Sequence, residues 1–303
     1  MPLSIRSLVS ASDLSKADIE TVLKVALEME EVLKKGGNDQ LKGKILASLF
    51  YEPSTRTRLS FESAMLRLGG KVVSVSDAGT TSLKKGESIE DTMKMISAYA
   101  DIIAMRHAQS GIAAQAAAAS FIPFINAGDG GNEHPTQGLL DVFSIKKELG
   151  RLDNLHIAVG CDPLHSRTIR TLVSLMSLYE GTKILFVCPS SLEPSKDLLQ
   201  TLASHHVPYE MTEDLLQAMD CDVLYMNRLQ EERFADRNEF EALRHKFTLT
   251  ATMLQGKSIK VFDPLPRIDE IATEVDALPN AAYFRQAANG VPVRMALLSL
   301  LLS

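Results

Sequence analysis

Seven residues, Glu52-Pro53-Ser54-Thr55-Arg56-Thr57-Arg58, put three hydroxyls and two guanidinium groups together. They lie between an apolar run over 44–50 that reads as a strand and a helix-period pattern over 59–68. Ser54 or Thr55 suits the N-cap, where a hydroxyl accepts from free backbone N–H groups. Arginines are out of place there, because the positive end of the helix dipole repels cations. They fit if an anion sits at that terminus and draws N–H groups, hydroxyls and guanidinium together. The alternative is a solvated cap whose arginines pair with Glu52 or Glu62.

Other strand ends carry similar groups. Arg106-His107 closes a predicted strand over 101–105. After a strand predicted over 121–125 comes a glycine-rich, flexible loop, 126–132, and then Glu133-His134-Pro135-Thr136-Gln137 opens a helix. Pro135 fits the first helical turn, so His134 falls at or beside the N-cap, where the dipole favours neutral imidazole. Thr80-Thr81-Ser82-Leu83-Lys84-Lys85-Gly86-Glu87 is a polar, lysine-bearing turn, which alone reads as an exposed loop. The second half adds Arg167, Arg228 with Gln230, and Asp263-Pro264-Leu265-Pro266-Arg267. Cations at several successive strand ends describe one cationic pocket, whose guest is anionic and carries both a phosphate and carboxylates. Competing motifs fail. No GxGxxG follows a strand, Ala251 stands where a P-loop ending in Gly256-Lys257-Ser258 needs glycine, and HExxH is absent. His205-His206 reads as surface, and no metal site is expected.

The elements that must position these groups alternate strand and helix. Further strands are predicted over 71–75, 156–159, 183–187, 222–225 and 259–262, with a helix over 139–149 stopped by Gly150. This implies an α/β protein of two domains, each a mostly parallel sheet with helices on both faces. At 303 residues the length agrees with two domains, and the helix after His134 would bridge them. Ligands in such sheets bind at the carboxyl ends of strands, where the unusual residues fall. A net charge of −6 speaks against nucleic-acid or membrane-surface partners. Cys161, Cys188 and Cys221 offer neither a disulfide framework nor a CxxC site and favour a reducing compartment. Residues 1–12 lack the apolar core of a signal peptide, and 111–119 and 295–302 are too short to span a bilayer, so a cytoplasmic location is expected.

Ser54-Thr55-Arg56-Thr57-Arg58 followed by Ser60-Phe61-Glu62 resembles the carbamoyl-phosphate signature of the aspartate/ornithine carbamoyltransferase family, and His134-Pro135-Thr136-Gln137 resembles its second motif. The similarity runs from about Leu46 to the C-terminus. Arg228-Leu229-Gln230-Glu231-Glu232-Arg233 and Pro264-Leu265-Pro266-Arg267, with Asp269-Glu270, are similar to the segments of the aspartate-specific members; the Ser-Met-Gly and His-Cys-Leu-Pro segments usual in ornithine-specific members are absent.

The resemblance implies carbamoyl transfer from carbamoyl phosphate to L-aspartate, without cofactor or metal. Ornithine or another amino acid as acceptor is the alternative, and a silent carbamoyl-phosphate-binding scaffold a further one. It implies a carbamoyl-phosphate-binding domain over 1–134 plus about 287–303 and an aspartate-binding domain over 135–286. Ser54, Thr55, Arg56 and Thr57 would cradle the phosphate with Arg106. Thr81, Ser82 and Lys85 would come from the neighbouring subunit of a homotrimer with shared active sites, Lys85 serving aspartate as well. Arg56 belongs to the catalytic set; Thr57, Arg106 and His134 would polarise the carbonyl, while Gln137 and the carbonyls of Pro264 and Leu265 hold the carbamoyl amino group. Arg167, Arg228 and Gln230 would bind the aspartate carboxylates. The family resemblance leaves room for separate regulatory chains.

Three positions depart from the family pattern. Cys161 replaces a usual glycine, Thr81 a usual serine, and Asp263 the histidine that normally precedes the Pro-Leu-Pro-Arg loop. A carboxylate at 263 would repel an aspartate substrate unless Arg267 or another cation pairs with it; retained activity is expected.

Overall fold

Short apolar strands, each followed by a helix, give this chain two parallel sheets. Residues 3–77, 79, 81–231, 234 and 237–303 are described by a computed structural model. Thr80, Glu232 and Arg233, which belong to motifs named above, lie outside the described residues. The strands are β1 (Ile45–Phe50), β2 (Lys71–Val75), β3 (Ile102–His107), β4 (Phe124–Asp129), β5 (His156–Gly160), β6 (Lys183–Val187), β7 (Tyr209–Thr212), β8 (Val223–Tyr225) and β9 (Lys260–Phe262). The helices are α1 (Lys16–Lys34), α2 (Thr55–Arg67), α3 (Ile89–Ser97), α4 (Ile112–Ala119), α5 (Pro135–Leu149), α6 (Arg167–Met176), α7 (Lys196–Ser204), α8 (Arg237–Arg244), α9 (Tyr283–Ala288) and α10 (Gly290–Leu301). The chain divides into one unit of Met1–Leu140 with Asn289–Ser303 and a second of Asp141–Ala288, the boundary falling inside α5.

In the first unit the strand order is β2-β1-β3-β4, all parallel. Alternation along β1 separates two faces. Ala47 and Leu49 join Ile103, Met105 and Phe124 in a core with Ile89 and Met93 of α3 and Ile112, Ala113 and Ala116 of α4. On the other face Ser48 Oγ donates to Glu62 of α2 at 3.0 Å. Helix α10 packs against α1 and α2, and its Arg294 guanidinium lies 5.0 Å from the Phe61 ring centroid. The fourth strand begins at Phe124 rather than near 121 and continues through Asn126 and Gly128 to Asp129, residues expected in a loop. The N-terminal segment explains the shift. Leu8 N–H donates to the Phe124 carbonyl and Asn126 N–H to the Leu8 carbonyl, both at 2.8 Å, while the Asn126 amide reaches the Val9 carbonyl at 2.9 Å. Partners distant in sequence therefore offset the polar cost of burying this strand end.

In the second unit the order is β7-β6-β5-β8-β9, again all parallel. Its core joins Ala158, Leu185, Val187, Leu224 and Val261 to Leu249, Leu254, Val275 and Tyr283. Among the described residues no helix is long and apolar enough to cross a membrane. Cys161, Cys188 and Cys221 are buried free thiols. Burial pushes Cys188 and Cys221 up to about 12 and Cys161 well above its ordinary value, which keeps all three protonated.

Candidate active site

Strand order locates the chemistry. Crossovers run to opposite sides of β1 and β3 in the first unit, so the crevice beyond their carboxyl ends is a topological switch point. Residues 51–57 follow β1, and Arg106 lies at the end of β3, beside them: Tyr51 N–H donates to the Arg106 carbonyl at 2.9 Å. Helix α2 starts at Thr55, four residues before the apolar pattern suggests, so Thr55-Arg56-Thr57-Arg58 is its first turn. A helix start rich in Thr and Arg carries no apolar period, which is why the sequence places the boundary late. Ser54 occupies the N-cap in extended conformation, but its side chain makes no capping hydrogen bond, contrary to the expected cap. Its hydroxyl is not committed to its own helix, at a terminus whose dipole favours anions.

The arginines divide between two roles. Arg58 Nε lies 3.1 Å from Glu62 Oε1 one turn along, the solvated-helix arrangement. Glu52, however, pairs with Arg106, Nε to Oε2 at 2.9 Å, and the Arg106 side chain is only 13% exposed. The β3–β4 register shifts between Met105 and His107, where β4 carries one residue more than β3, while the β1–β3 pairing runs unbroken to Arg106. His107 packs edge-on against Tyr51 and accepts from Gln109 N–H at 3.0 Å; burial lowers its pKa, so it stays neutral.

His134 is 3% exposed. Its carbonyl accepts from the N–H groups of Gln137 and Gly138 at 2.9 and 3.2 Å, which puts it at the N-cap of α5, with Pro135 at the first helical position as expected. Its ring bridges two hydroxyls: Nε2 is 3.4 Å from Thr57 Oγ1 and Nδ1 is 3.4 Å from Thr136 Oγ1. The starts of α2 and α5 therefore meet through Thr57 and His134, both buried, with Gln137 buried one turn along. The turn before His134 is braced rather than flexible. Asp129 accepts from the Asn126 and Asn132 amides and from the N–H groups of Glu133 and Gly111. Gly130 has φ +51°, and a Cβ there would lie 2.6 Å from the Ala108 carbonyl. Thr81, Ser82 and Lys85 lie on a separate turn before α3, with Ser82 and Lys85 exposed and Gly86 closing the turn in a left-handed conformation.

The second unit repeats the topology, with its switch point between β5 and β8. Arg167 is the first residue of α6, capped by Ser166 accepting from Ile169 N–H at 3.2 Å. Asn227, just beyond β8, donates to Ser166 Oγ at 2.7 Å and Thr168 Oγ1 at 2.9 Å. The neighbouring Arg228 and Gln230 are half-buried. Asp162, fully buried after β5, accepts from the His165 backbone N–H at 3.0 Å, lies 3.0 Å from His165 Nδ1 and also accepts from the Gln230 backbone. Burial raises its pKa, opposed by these hydrogen bonds. Asp162 and Asn227 thus tie Arg167, Arg228 and Gln230 into one assembly. Neither is prominent in sequence; the available signal is a polar side chain placed immediately after a strand at a switch point.

Asp263 follows β9 and is buried, and Arg267 offsets its charge only in part and does not bond it: that guanidinium bonds Asp276 and, at 3.2 Å, the Tyr283 hydroxyl. Asp263 Oδ1 instead accepts the Leu265 N–H at 2.5 Å. Leu265 has φ +56°, a left-handed backbone that costs a non-glycine residue about 1–3 kcal/mol and persists only when its surroundings fix it. A chain of buried hydrogen bonds fixes Asp263 in turn: its N–H donates to Gln286 Oε1 at 2.9 Å, the Gln286 amide to Asp141 at 2.7 Å, and Tyr225 OH to Asp141 at 2.8 Å.

Profiles described as the carbamoyl-P binding domain and the Asp/Orn binding domain of aspartate/ornithine carbamoyltransferase match residues 6–147 and 153–301. The chain belongs to the aspartate/ornithine carbamoyltransferase family. An aspartate carbamoyltransferase catalytic subunit of Methanococcus maripaludis is 46% identical over 297 residues, 98% of each chain. Among solved members of the family, the catalytic subunit of M. jannaschii aspartate transcarbamoylase superposes with a TM-score of 0.93 at 45% identity, covering 98% of each chain. The Trypanosoma cruzi aspartate transcarbamoylase in complex with carbamoyl phosphate and aspartate gives 0.91 at 36% identity, covering 98% of this chain and 95% of that one.

Proposed function

We propose that this chain transfers the carbamoyl group of carbamoyl phosphate to the amino group of L-aspartate, giving N-carbamoyl-L-aspartate and phosphate, an early step of pyrimidine synthesis. The meeting of two helix N-termini through Thr57 and His134, beside the Arg106 strand end, carries the reading. It offers hydroxyl, imidazole, guanidinium and helix-dipole groups to one small dianion and its carbonyl. The likeness to chains named aspartate carbamoyltransferase catalytic subunit supports aspartate as acceptor.

In this proposal Ser54, Thr55, Arg56 and Thr57 hold the phosphate at the start of α2, with Arg106. Thr57, Arg106 and His134 point donors at the carbonyl oxygen. The 3.4 Å separations around the His134 ring are loose, so a stronger acceptor can draw it in. Gln137 and the carbonyls of Pro264 and Leu265 receive the carbamoyl amino group. Arg167, Arg228 and Gln230, together with Lys85, bind the aspartate carboxylates.

The neutral amine attacks the carbonyl carbon, the C–O bond to phosphate breaks as the tetrahedral oxyanion collapses, and the departing phosphate takes the amine proton. No side-chain base, metal or organic cofactor is needed. Each fixed oxyanion donor of this kind is worth about 2.7–4 kcal/mol.

Thr81, Ser82 and Lys85 act in the active site of a neighbouring copy within a homotrimer. Their placement on an exposed turn supports this, as do the exposed Leu59, Leu66, Val73, Tyr99 and Phe121 of the same unit. Three buried thiols suit a reducing, cytoplasmic setting.

The deciding experiment is carbamoyl transfer by the purified chain, with aspartate and ornithine compared. Product with aspartate alone is expected. Product with ornithine alone would overturn the acceptor assignment, and carbamoyl phosphate binding with no product would mark a silent scaffold. Ornithine needs a carboxylate facing its distal ammonium, and the arginine at 228 opposes that.

A further inference from the structure

Asp263 and Glu270 bracket the loop over 264–269, and each is almost wholly buried, at 2% and 3% exposure. Their outer oxygens hold the loop's backbone. Asp263 Oδ1 takes the N–H of Leu265 at 2.5 Å, and Glu270 Oε2 takes those of Ile268 and Asp269 at 2.9 and 3.0 Å. Their inner oxygens, Asp263 Oδ2 and Glu270 Oε1, are buried and receive no donor from the described backbone or from other described side chains. Glu270 is the charge that acts most strongly on the Asp263 carboxyl. Two ionised carboxylates in that position would repel without water to screen them, whereas one retained proton turns the contact into an acid–carboxylate hydrogen bond.

We propose that Asp263 and Glu270 share a single proton, and that this bond is a positioning clasp which closes the loop over 264–269 and sets the Pro264 and Leu265 carbonyls. The role in carbamoyl transfer rests on the function proposed above; the shared proton does not. Of the other groups facing the pair, Arg267 offsets part of the Asp263 charge through space without bonding it. Arg267 is turned to Asp276, and Arg244 is held by Asp269. From β8 comes the Tyr225 hydroxyl, which donates to Asp141, and α9 presents the neutral Gln286 amide. After β5 comes the Cys161 thiol, which burial keeps protonated. Burial and the Glu270 charge both push the Asp263 pKa well above the usual carboxylate range, in agreement with the geometry. The proton belongs to the pair rather than to either residue. Raising the pH removes it, leaves two adjacent buried charges and opens the clasp. A proton thereby does the work that the notional cation partner of Asp263 was expected to do.

Three measurements test the clasp. Without substrates, infrared spectroscopy at neutral pH is expected to detect the carbonyl stretch of an un-ionised carboxylic acid that is lost at alkaline pH and absent from D263N and E270Q. Amide hydrogen-exchange protection factors at Leu265, Ile268 and Asp269 are expected to fall about tenfold or more on alkalinisation in the wild type and to hold in D263N, whose amide can donate to Glu270 without titrating. With substrates, the KM for carbamoyl phosphate is expected to rise about tenfold on the alkaline limb in the wild type but not in D263N. Absence of the acid band, or identical alkaline profiles for wild type and D263N, overturns the clasp. A chain that transfers nothing to aspartate but keeps the band and the exchange difference overturns the functional proposal and leaves the clasp standing.

Discussion

The two units hold buried acids in opposite ways. In the first, Asp18 opens α1 in a capping box. Burial works against its charge, but hydrogen bonds from Ser15 and Ser4 outweigh it and bring the pKa down to about 2. In the second, Asp263 receives one N–H and faces another carboxyl group, and its pKa rises. Asp162 is raised as well, by burial. The difference lies in how many donors the local backbone and side chains deliver and in depth, Asp18 being set near the surface and Asp263 in the interior. The candidate site groups follow the same division. In the first unit they hold one another, Thr57 to His134 and Arg106 to Glu52. In the second, the arginines and the loop are carried by Asp162, Asn227, Gln286 and Asp141, residues with no expected contact with substrate. Damage to the first should strike chemistry, and damage to the second should strike position, stability and pH response.

The largest expected effect is Arg106→Ala or His134→Ala. Each should lower kcat by about 10²–10³-fold, the loss of one oxyanion donor, in steady-state assays with the thermal midpoint little changed. A drop in melting temperature that accounts for the lost activity would break the distinction between the units. Next comes Arg228→Ala, expected to raise the aspartate KM by about 10–150-fold, the equivalent of about 1.5–3 kcal/mol for hydrogen bonds to a charged group. The KM for carbamoyl phosphate should hold, and parallel loss of both would assign Arg228 to scaffolding.

Asn227→Ala tests the carried arrangement directly. It removes two hydrogen bonds, to Ser166 and Thr168, and should cost about 1–3 kcal/mol in chemical denaturation with a smaller rise in aspartate KM. The smallest effects are those of pH. A carboxyl whose folded pKa is depressed stabilises above its unfolded value, about 3.9, and loses that contribution as pH falls. Asp18→Asn should therefore lower the melting temperature at neutral pH and converge with wild type near pH 2. The raised Asp263 works the other way: stability present below about 3.9 is lost as pH rises toward the folded pKa, at about 1.4 kcal/mol for every pH unit that separates the folded and unfolded values. Melting curves should show D263N gaining on wild type as pH climbs, and equal slopes would remove the contrast.

Much of this organisation is legible in the sequence. The apolar runs over 71–75 and 183–187 coincide with β2 and β6, and the strand ends carrying Arg106, Arg167 and Arg228 fall at the two switch points. Element ends are less legible where polar residues are covered from far away. Asn126 and Asp129 read as loop until Leu8, Val9 and Gly111 are seen to pair with them. Likewise Ser54 looks like a cap, and only the structure shows its hydroxyl left off the helix. The charge state of Asp263 is invisible to any local pattern. Residue 270 lies seven positions on, and whether the two carboxyls meet depends on how the intervening loop folds back.

The discontinuity of the first unit bears on how the protein is made. Helix α10, which packs on α1 and α2, leaves the ribosome only after the whole of Asp141–Ala288. At about 5–20 residues per second that is a delay of roughly 7–30 s, during which the nascent first unit lacks its last helix while the second is free to fold ahead of it. The apolar surface that will meet Val293, Met295, Ala296 and Leu297 waits uncovered for that interval, a natural target for chaperones on the emerging chain.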